Sequence, residues 1–277
     1  MLKIIFLADI VGKIGRRATV QYLPKLKKKY KPDLVFANAE NIAHGIGFTE
    51  KTLNEVIEAG VDFFTSGNHA WSKAGSDKIL NNRPPLVIRP ANYQGKKSGV
   101  GFLEIKPAAG SPLAKKIGQN KIIVVNLLGR VFIPDKLNNP FKVLAKIIKK
   151  YKDQIIIVDF HAEATSEKNA LAQYFDGQVA AILGTHTHVP TSDSKLLAKG
   201  TGFITDIGMI GYYDSVIGAS KNQIFNLFLD RGQSSKKHDL PDYGYCQFNA
   251  VYLEIDPKTQ KTVKIKRLDK IIKVKTN

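Results

Sequence analysis

Residues 179–188 read VAAILGTHTH: a short apolar run, Val179–Leu183, ends in Gly184 and a polar cluster closed by His186 and His188. The same grammar recurs along the chain. Leu2–Ala8 ends at Asp9, Leu34–Ala37 at Asn38–Asn41, Val61–Thr65 at Gly67–His69, Ile122–Leu128 at Gly129, Ile155–Phe160 at His161, and Phe203–Thr205 at Asp206. Runs this short and this rich in β-branched residues read as buried strands. Between them lie segments of helical periodicity: Gly15–Tyr30, Thr49–Ala59, Asn139–Lys150 and Ser166–Tyr174. Strands alternating with helices predict an α/β layered fold, in which strand C-termini share one rim.

Pro24 is expected to kink the first helix or to mark its start. Phe248–Ile255 and Val263–Val274, either side of Asp256-Pro257, read as a hairpin covering a sheet edge. Asn81–Gly118 and Gln233–Tyr245 read as surface excursions. No repeat, low-complexity linker or shift in composition divides the chain, so residues 1–277 are expected to form one domain.

With 42 Lys+Arg against 24 Asp+Glu the formal charge is +18, while 43% of residues are apolar. Disorder is excluded by that apolar content. No run reaches the roughly 20 apolar residues of a membrane span, and the N-terminal stretch lacks a signal-peptide cleavage site. Cys246, the single cysteine, excludes an internal disulfide and any Cys-rich zinc site. It reads as an inert small hydrophobe, and the expected compartment is the cytoplasm. Lysine clusters at Lys25–Lys31 and Lys258–Lys275 read first as solvated faces, which would also concentrate a phosphorylated substrate.

Asp9, Glu40, Asn41, Asn68, His69, His161, His186 and His188 all fall at predicted strand ends. Five of the six histidines, His44 included, lie in these clusters or beside them. Imidazoles with hard carboxylate and amide oxygens on one rim are a donor set for two neighbouring dications, which a bridging carboxylate holds about 3.5–4 Å apart. Around this set, Glu163, Thr165 and Ser166 read equally as supporting groups or as a helix start. Asp206 is placed to orient a ligating histidine. Thr185 and Thr187 could bond a phosphate or their own loop. His44 reads as a mobile surface histidine, and Trp71 and Tyr212-Tyr213 as core or interface residues.

The ordered strings Ala8–Gly12, Asn38–Asn41, Gly67–Trp71, Asp159–Lys168, Gly184–His188 and Gly202–Met209 resemble the calcineurin-like metallophosphoesterases, and among them the bacterial YmdB-like family. The resemblance implies a four-layered αββα sandwich. It implies one metal ion on Asp9, Glu40, Asn41 and His188, a second on Glu40, Asn68, His161 and His186, and His69 as the unligated acid beside the leaving group. The wider superfamily begins with Asp-x-His, whereas this chain has Asp9-Ile10-Val11, so a histidine ligand is missing and Asn41 replaces it. An amide oxygen is harder and a weaker donor than imidazole. Fe or Mn is therefore as expected as Zn.

The activity so implied is a metal-dependent phosphodiesterase hydrolysing small cyclic nucleotides such as 2′,3′-cyclic AMP through a bridging hydroxide. Two rivals stand beside it: a nuclease or RNA-processing phosphoesterase, favoured by the +18 charge, and a non-catalytic nucleotide- or RNA-binding regulator. The resemblance also suggests a homo-oligomer. Nothing in the pattern marks substrate-binding residues.

Overall fold

A computed structural model describes residues 1–95, 97–231 and 240–275. Three sheets carry the fold. The first runs in the order Lys261–Arg267, Ala250–Asp256, Leu2–Leu7, Leu34–Asn38, Phe63–Thr65, its last three strands parallel. The second runs Phe102–Ile105, Ile122–Leu128, Ile155–His161, Ala181–Thr185, Gly202–Ile204, Lys195–Leu196, with a parallel centre. The third is small: Lys270–Val274, Gly244–Phe248, Met209–Tyr212 and Asp9–Ile10.

Successive side chains of a strand point to opposite faces. Along Leu2–Leu7, Leu2, Ile4 and Phe6 therefore pack against Ile122, Val124, Ile157 and Leu183 of the second sheet. Ile5 and Leu7 meet Ile14, Ala18 and Leu23 of the helix Gly12–Tyr30 on the other side. The second sheet's far face, Val125, Leu127 and Val158, is covered by Leu144 and Ile147 of the helix Pro140–Lys150 and by Leu171 of Thr165–Tyr174. Burial on both faces explains why these strands read as continuous apolar runs rather than alternating ones.

Strand ends follow the sequence reading closely where apolar runs are long; Ile122–Leu128 matches at both ends. Thr49 and Asn139 act as caps, their side chains accepting from the first backbone amides of the helices Glu50–Ile57 and Pro140–Lys150.

Three expectations need correction, and a fourth falls largely outside the described residues. Pro24 sits inside a helix that began at Gly12, so it does not mark a start. It is exposed, so water can serve the carbonyl it leaves unpaired. The C-terminal segment is not one hairpin. Ala250–Asp256 and Lys261–Arg267 pair across the turn, but Phe248 lies in a strand of the third sheet, where Lys270–Val274 joins it. Asn249 separates the two registers, donating to Asp269 and accepting from Met209 N. Asn81–Gly118 is more than a surface excursion, since it contributes the strand Phe102–Ile105, the helix Pro112–Ile117 and the buried Val87, Ile88 and Leu103. Of Gln233–Tyr245, residues 233–239 lie outside the described residues, and Gly244-Tyr245 opens a strand. Among the described residues no helix is long and apolar enough to cross a membrane.

Candidate metal centre

The rim forms where adjacent parallel strands of both sheets end. Asp9 follows Leu2–Leu7, Glu40 and Asn41 follow Leu34–Asn38, Asn68 and His69 follow Phe63–Thr65, His161 closes Ile155–His161, and His186 and His188 follow Ala181–Thr185. Glu40 reaches across the sheets, its Oε1 lying 3.0 Å from His161 Nε2. The same Nε2 stands 3.0 Å from His186 Nδ1. Glu40, His161 and His186 together offer ligand atoms within 4.8 Å of one another. On the other side of Glu40, Asn41 Nδ2 lies 3.3 Å from Glu40 Oε1 and 3.1 Å from His188 Nε2, which in turn is 3.8 Å from Asp9 Oδ1. A half-turn of the Asn41 amide presents its oxygen to the same point.

Each histidine is oriented by a partner on its far nitrogen. Thr185 Oγ1 donates to Asp159 Oδ1 at 2.6 Å and so accepts from His161 Nδ1 at 2.8 Å. That leaves His161 Nε2 for the site. His188 Nδ1 donates to the Ile217 carbonyl at 2.7 Å, leaving its Nε2 facing Asn41 and Asp9. His186 Nε2 lies 3.2 Å from Glu163, so its Nδ1 faces inward. Such outer contacts fix tautomer and ring plane. Asp206 acts one step further out: buried and paired with Lys168 at 2.7 Å, it accepts from Thr187 N between His186 and His188.

The electrostatics describe a proton where a cation would sit. Burial alone would raise the Glu40 carboxyl, but the facing His161, with His69 and His186 behind it, draws it down to about 2. Burial opposes charge on His161, yet Glu40, Asp9 and Asp159 lift it to about 9. His186 is held to about 3 by burial and by the neighbouring His161 and His188. His188 is raised despite its burial, chiefly by Asp9. Asp159 is pushed up to about 6 by burial, against the pull of His161 and the hydroxyls of Thr185 and Thr65. A charged His161 thus places its Nε2 proton between Glu40 Oε1 and the neutral His186 Nδ1.

The donors fit metal ions on independent grounds. Asp9 Oδ1 and Asn68 Oδ1 are buried oxygens with no hydrogen-bond partner, and a buried acceptor left unpaired is costly. A Cβ at Gly67 would fall 2.0 Å from Glu40 Oε2 and 2.4 Å from His161 Nε2. Only glycine lets these two side chains approach the turn. His186 and His188 both adopt positive φ, 104° and 63°, a backbone conformation that is costly for non-glycine residues and recurs at turns and functional sites.

The other candidates divide. His69 donates its backbone N–H to Glu40 Oε2 at 3.3 Å, and its ring lies 3.4 Å from Asn68 Nδ2 and 3.5 Å from Ser72 Oγ. Thr185 bonds His161 and Asp159, and Thr187 offers its backbone to Asp206. Thr165 and Ser166 are exposed at the start of a helix. His44 is exposed. Trp71 packs edge-on against Tyr93, and Tyr212 against the first core. Cys246 is buried, its thiol pushed up to about 12. Asp159 and Lys168 belong to a sequence string that gives neither of them a role. The signal for Asp159 is a charge inside the apolar run Ile155–Phe160, since an ionisable group within a buried strand needs partners.

Beside His186 and His188 opens a cleft of about 310 Å³, walled by Val11, Ile217, Ala219 and Ile224 with Glu163 at its edge. Larger cavities of about 420 and 480 Å³ lie around Tyr151–Gln154 and around Arg17–Gln21, and contain none of these donors. The chemistry decides which cavity matters.

An α/β fold with carboxylate, amide and imidazole donors converging on one rim suits metal-assisted hydrolysis. Residues 5–268 match the model of the YmdB-like protein family. The chain is 41% identical over 274 residues, 96% of each chain, to a 2′,3′-cyclic-nucleotide 2′-phosphodiesterase of Bacillus subtilis. It is also similar to the crystal structure of a novel phosphatase from Mycoplasma pneumoniae, with TM-score 0.85, 39% identity and coverage of 98% and 93% of the two chains. A hypothetical protein from Thermus thermophilus superposes with TM-score 0.85 at 35% identity over 99% and 100%. The chain belongs to the YmdB-like family, and it is an enzyme of the phosphoester hydrolase class.

Proposed function

We propose that the chain is a cytoplasmic, single-domain metallophosphoesterase that hydrolyses small cyclic nucleotides of the 2′,3′ type at a dinuclear metal centre. The carrying observation is the convergence of Glu40, His161 and His186, with ligand atoms within 4.8 Å, beside the second group of Asp9, Asn41 and His188. The two sheets sharing one core, each covered outside by helices, support the four-layered αββα sandwich of that superfamily.

In this reading Asp9, Glu40, Asn41 and His188 hold one ion, Glu40, Asn68, His161 and His186 the other, with Glu40 shared. Fe and Mn suit the mixed oxygen and nitrogen donors, as Zn also does. When bound, the ions make hydroxide available near neutral pH and withdraw charge from the phosphoryl oxygens. The protein's own part is to fix the donors through Thr185, Ile217 and Glu163, and to pass a proton from His69 to the departing oxygen.

The test is hydrolysis of 2′,3′-cyclic AMP by protein stripped of metal and reloaded with Mn²⁺, beside a phosphomonoester and a short RNA. Turnover restored by metal and preferring the cyclic nucleotide is expected. The +18 charge favours the second reading, an RNA-processing enzyme; cleavage of RNA alone, with binding that weakens steeply in salt, would establish that one instead.

A further inference from the structure

Val216 and Ala219 exchange both backbone hydrogen bonds, at 3.0 and 2.8 Å, closing a two-residue turn whose central residues are Ile217 (φ 46°) and Gly218 (φ 89°). A turn with positive φ at both central positions calls for Asn-Gly, because a β-branched side chain is crowded there. Gly218 meets the requirement; Ile217 violates it. The violation needs a reason, and two ordinary ones fail. The Ile217 carbonyl accepts from His188 Nδ1 at 2.7 Å, but glycine or asparagine would offer the same carbonyl. Core packing does not call for the side chain either, since Ile217 is 53% exposed.

What the side chain does is wall the cleft beside His186 and His188, together with Val11, Ala219 and Ile224. The turn that presents it is rigidly held. Ser215 Oγ accepts from Gly218 N at 3.0 Å and donates to the Tyr212 carbonyl at 2.5 Å. A substrate whose phosphate meets the histidine donors must place its remaining bulk in the adjoining space. At about 310 Å³ that space is at the small end of ligand clefts. Of a cyclic nucleotide, the part that apolar side chains recognise is the flat face of the base.

Resting on the function proposed above, we propose that Ile217 is a specificity-determining residue, its side chain forming the wall against which the substrate's nucleobase lies. Substrates with a base then gain affinity that a bare ribose cyclic phosphate cannot.

The experiment compares kcat/KM for 2′,3′-cyclic AMP with that for ribose 2′,3′-cyclic phosphate, in the full chain reloaded with Mn²⁺, for wild type, Ile217→Gly and Ile217→Asn. Both replacements suit the turn, so Tm should not fall. The preference for the nucleotide over the base-free ester is expected to drop about tenfold or more in both variants, the loss of one buried apolar contact. An unchanged preference in both variants, with the wild type active, would overturn the role of Ile217 alone. A wild type that turns over neither cyclic phosphate would overturn the functional reading, and this inference with it.

Discussion

Thr185 Oγ1 lies 2.8 Å from His161 Nδ1 and 2.6 Å from Asp159 Oδ1. The hydroxyl has one proton and gives it to the carboxylate, so the imidazole must be the donor at Nδ1. Thr185→Val keeps the shape and removes this relay. Apparent metal affinity should fall about 10–100-fold, as when other outer partners of a ligand histidine are removed. Equilibrium dialysis against Mn²⁺ reads it, and Thr185→Ser should restore binding.

In the proposed centre, metal and proton would compete for His161 Nε2. In stripped protein, Glu40, lowered from 4.5 to about 2, contributes stability that is present above pH 4.5 and lost as pH falls through about 2. His161, raised from 6.5 to about 9, contributes stability that is complete below pH 6.5 and lost as pH rises through about 9. The Tm of stripped protein should therefore decline from about pH 6.5 to 9, while Mn²⁺ affinity rises over the same interval. Parallel calorimetry and metal titration check both; a Tm that climbs with pH would contradict the pairing.

His69→Ala leaves the candidate ligand set intact. Both metals should remain, while turnover of 2′,3′-cyclic AMP falls about 10²–10⁴-fold and that of p-nitrophenyl esters much less, because only the poor leaving group needs the proton. Equal losses on both substrates would assign His69 to orientation of its neighbours.

Lys168 and Asp206 form an ion pair with side chains 0% and 1% exposed. Removing one partner strands a buried charge. Lys168→Met should destabilise by about 3–5 kcal/mol in urea unfolding, whereas Lys168→Met combined with Asp206→Asn should be less harmful than the single change.

Legibility followed burial. Strands apolar on both faces, such as Ile122–Leu128, announce themselves, and so do the polar candidate donors that end them. Three things were hidden for physical reasons. Leu2–Ala8 reads as a strand that stops at Asp9, whereas Asp9-Ile10 begins a second strand in a different sheet, because the switch at Ala8 is made by backbone pairing to Met209-Ile210, which no local pattern encodes. Phe248 and Ala250 are separated likewise by the long-range contacts of Asn249. The outer partners escaped because a threonine hydroxyl or a backbone carbonyl, such as those of Thr185 and Ile217, looks the same in sequence whether it serves water or a histidine.

The strand Leu2–Leu7 is paired on one side with Leu34–Asn38 and on the other with Ala250–Asp256. Its second neighbour is thus made some two hundred and forty residues later on the ribosome. The parallel pairings need less sequence separation, but the antiparallel seam closes only after residues 250–255 have emerged, across a long loop whose closure is slow. Asp9 follows that strand directly, so the seam is part of what holds it in place. Metal capture at the proposed centre would in this way wait for a strand that lies far along the chain from the first donor.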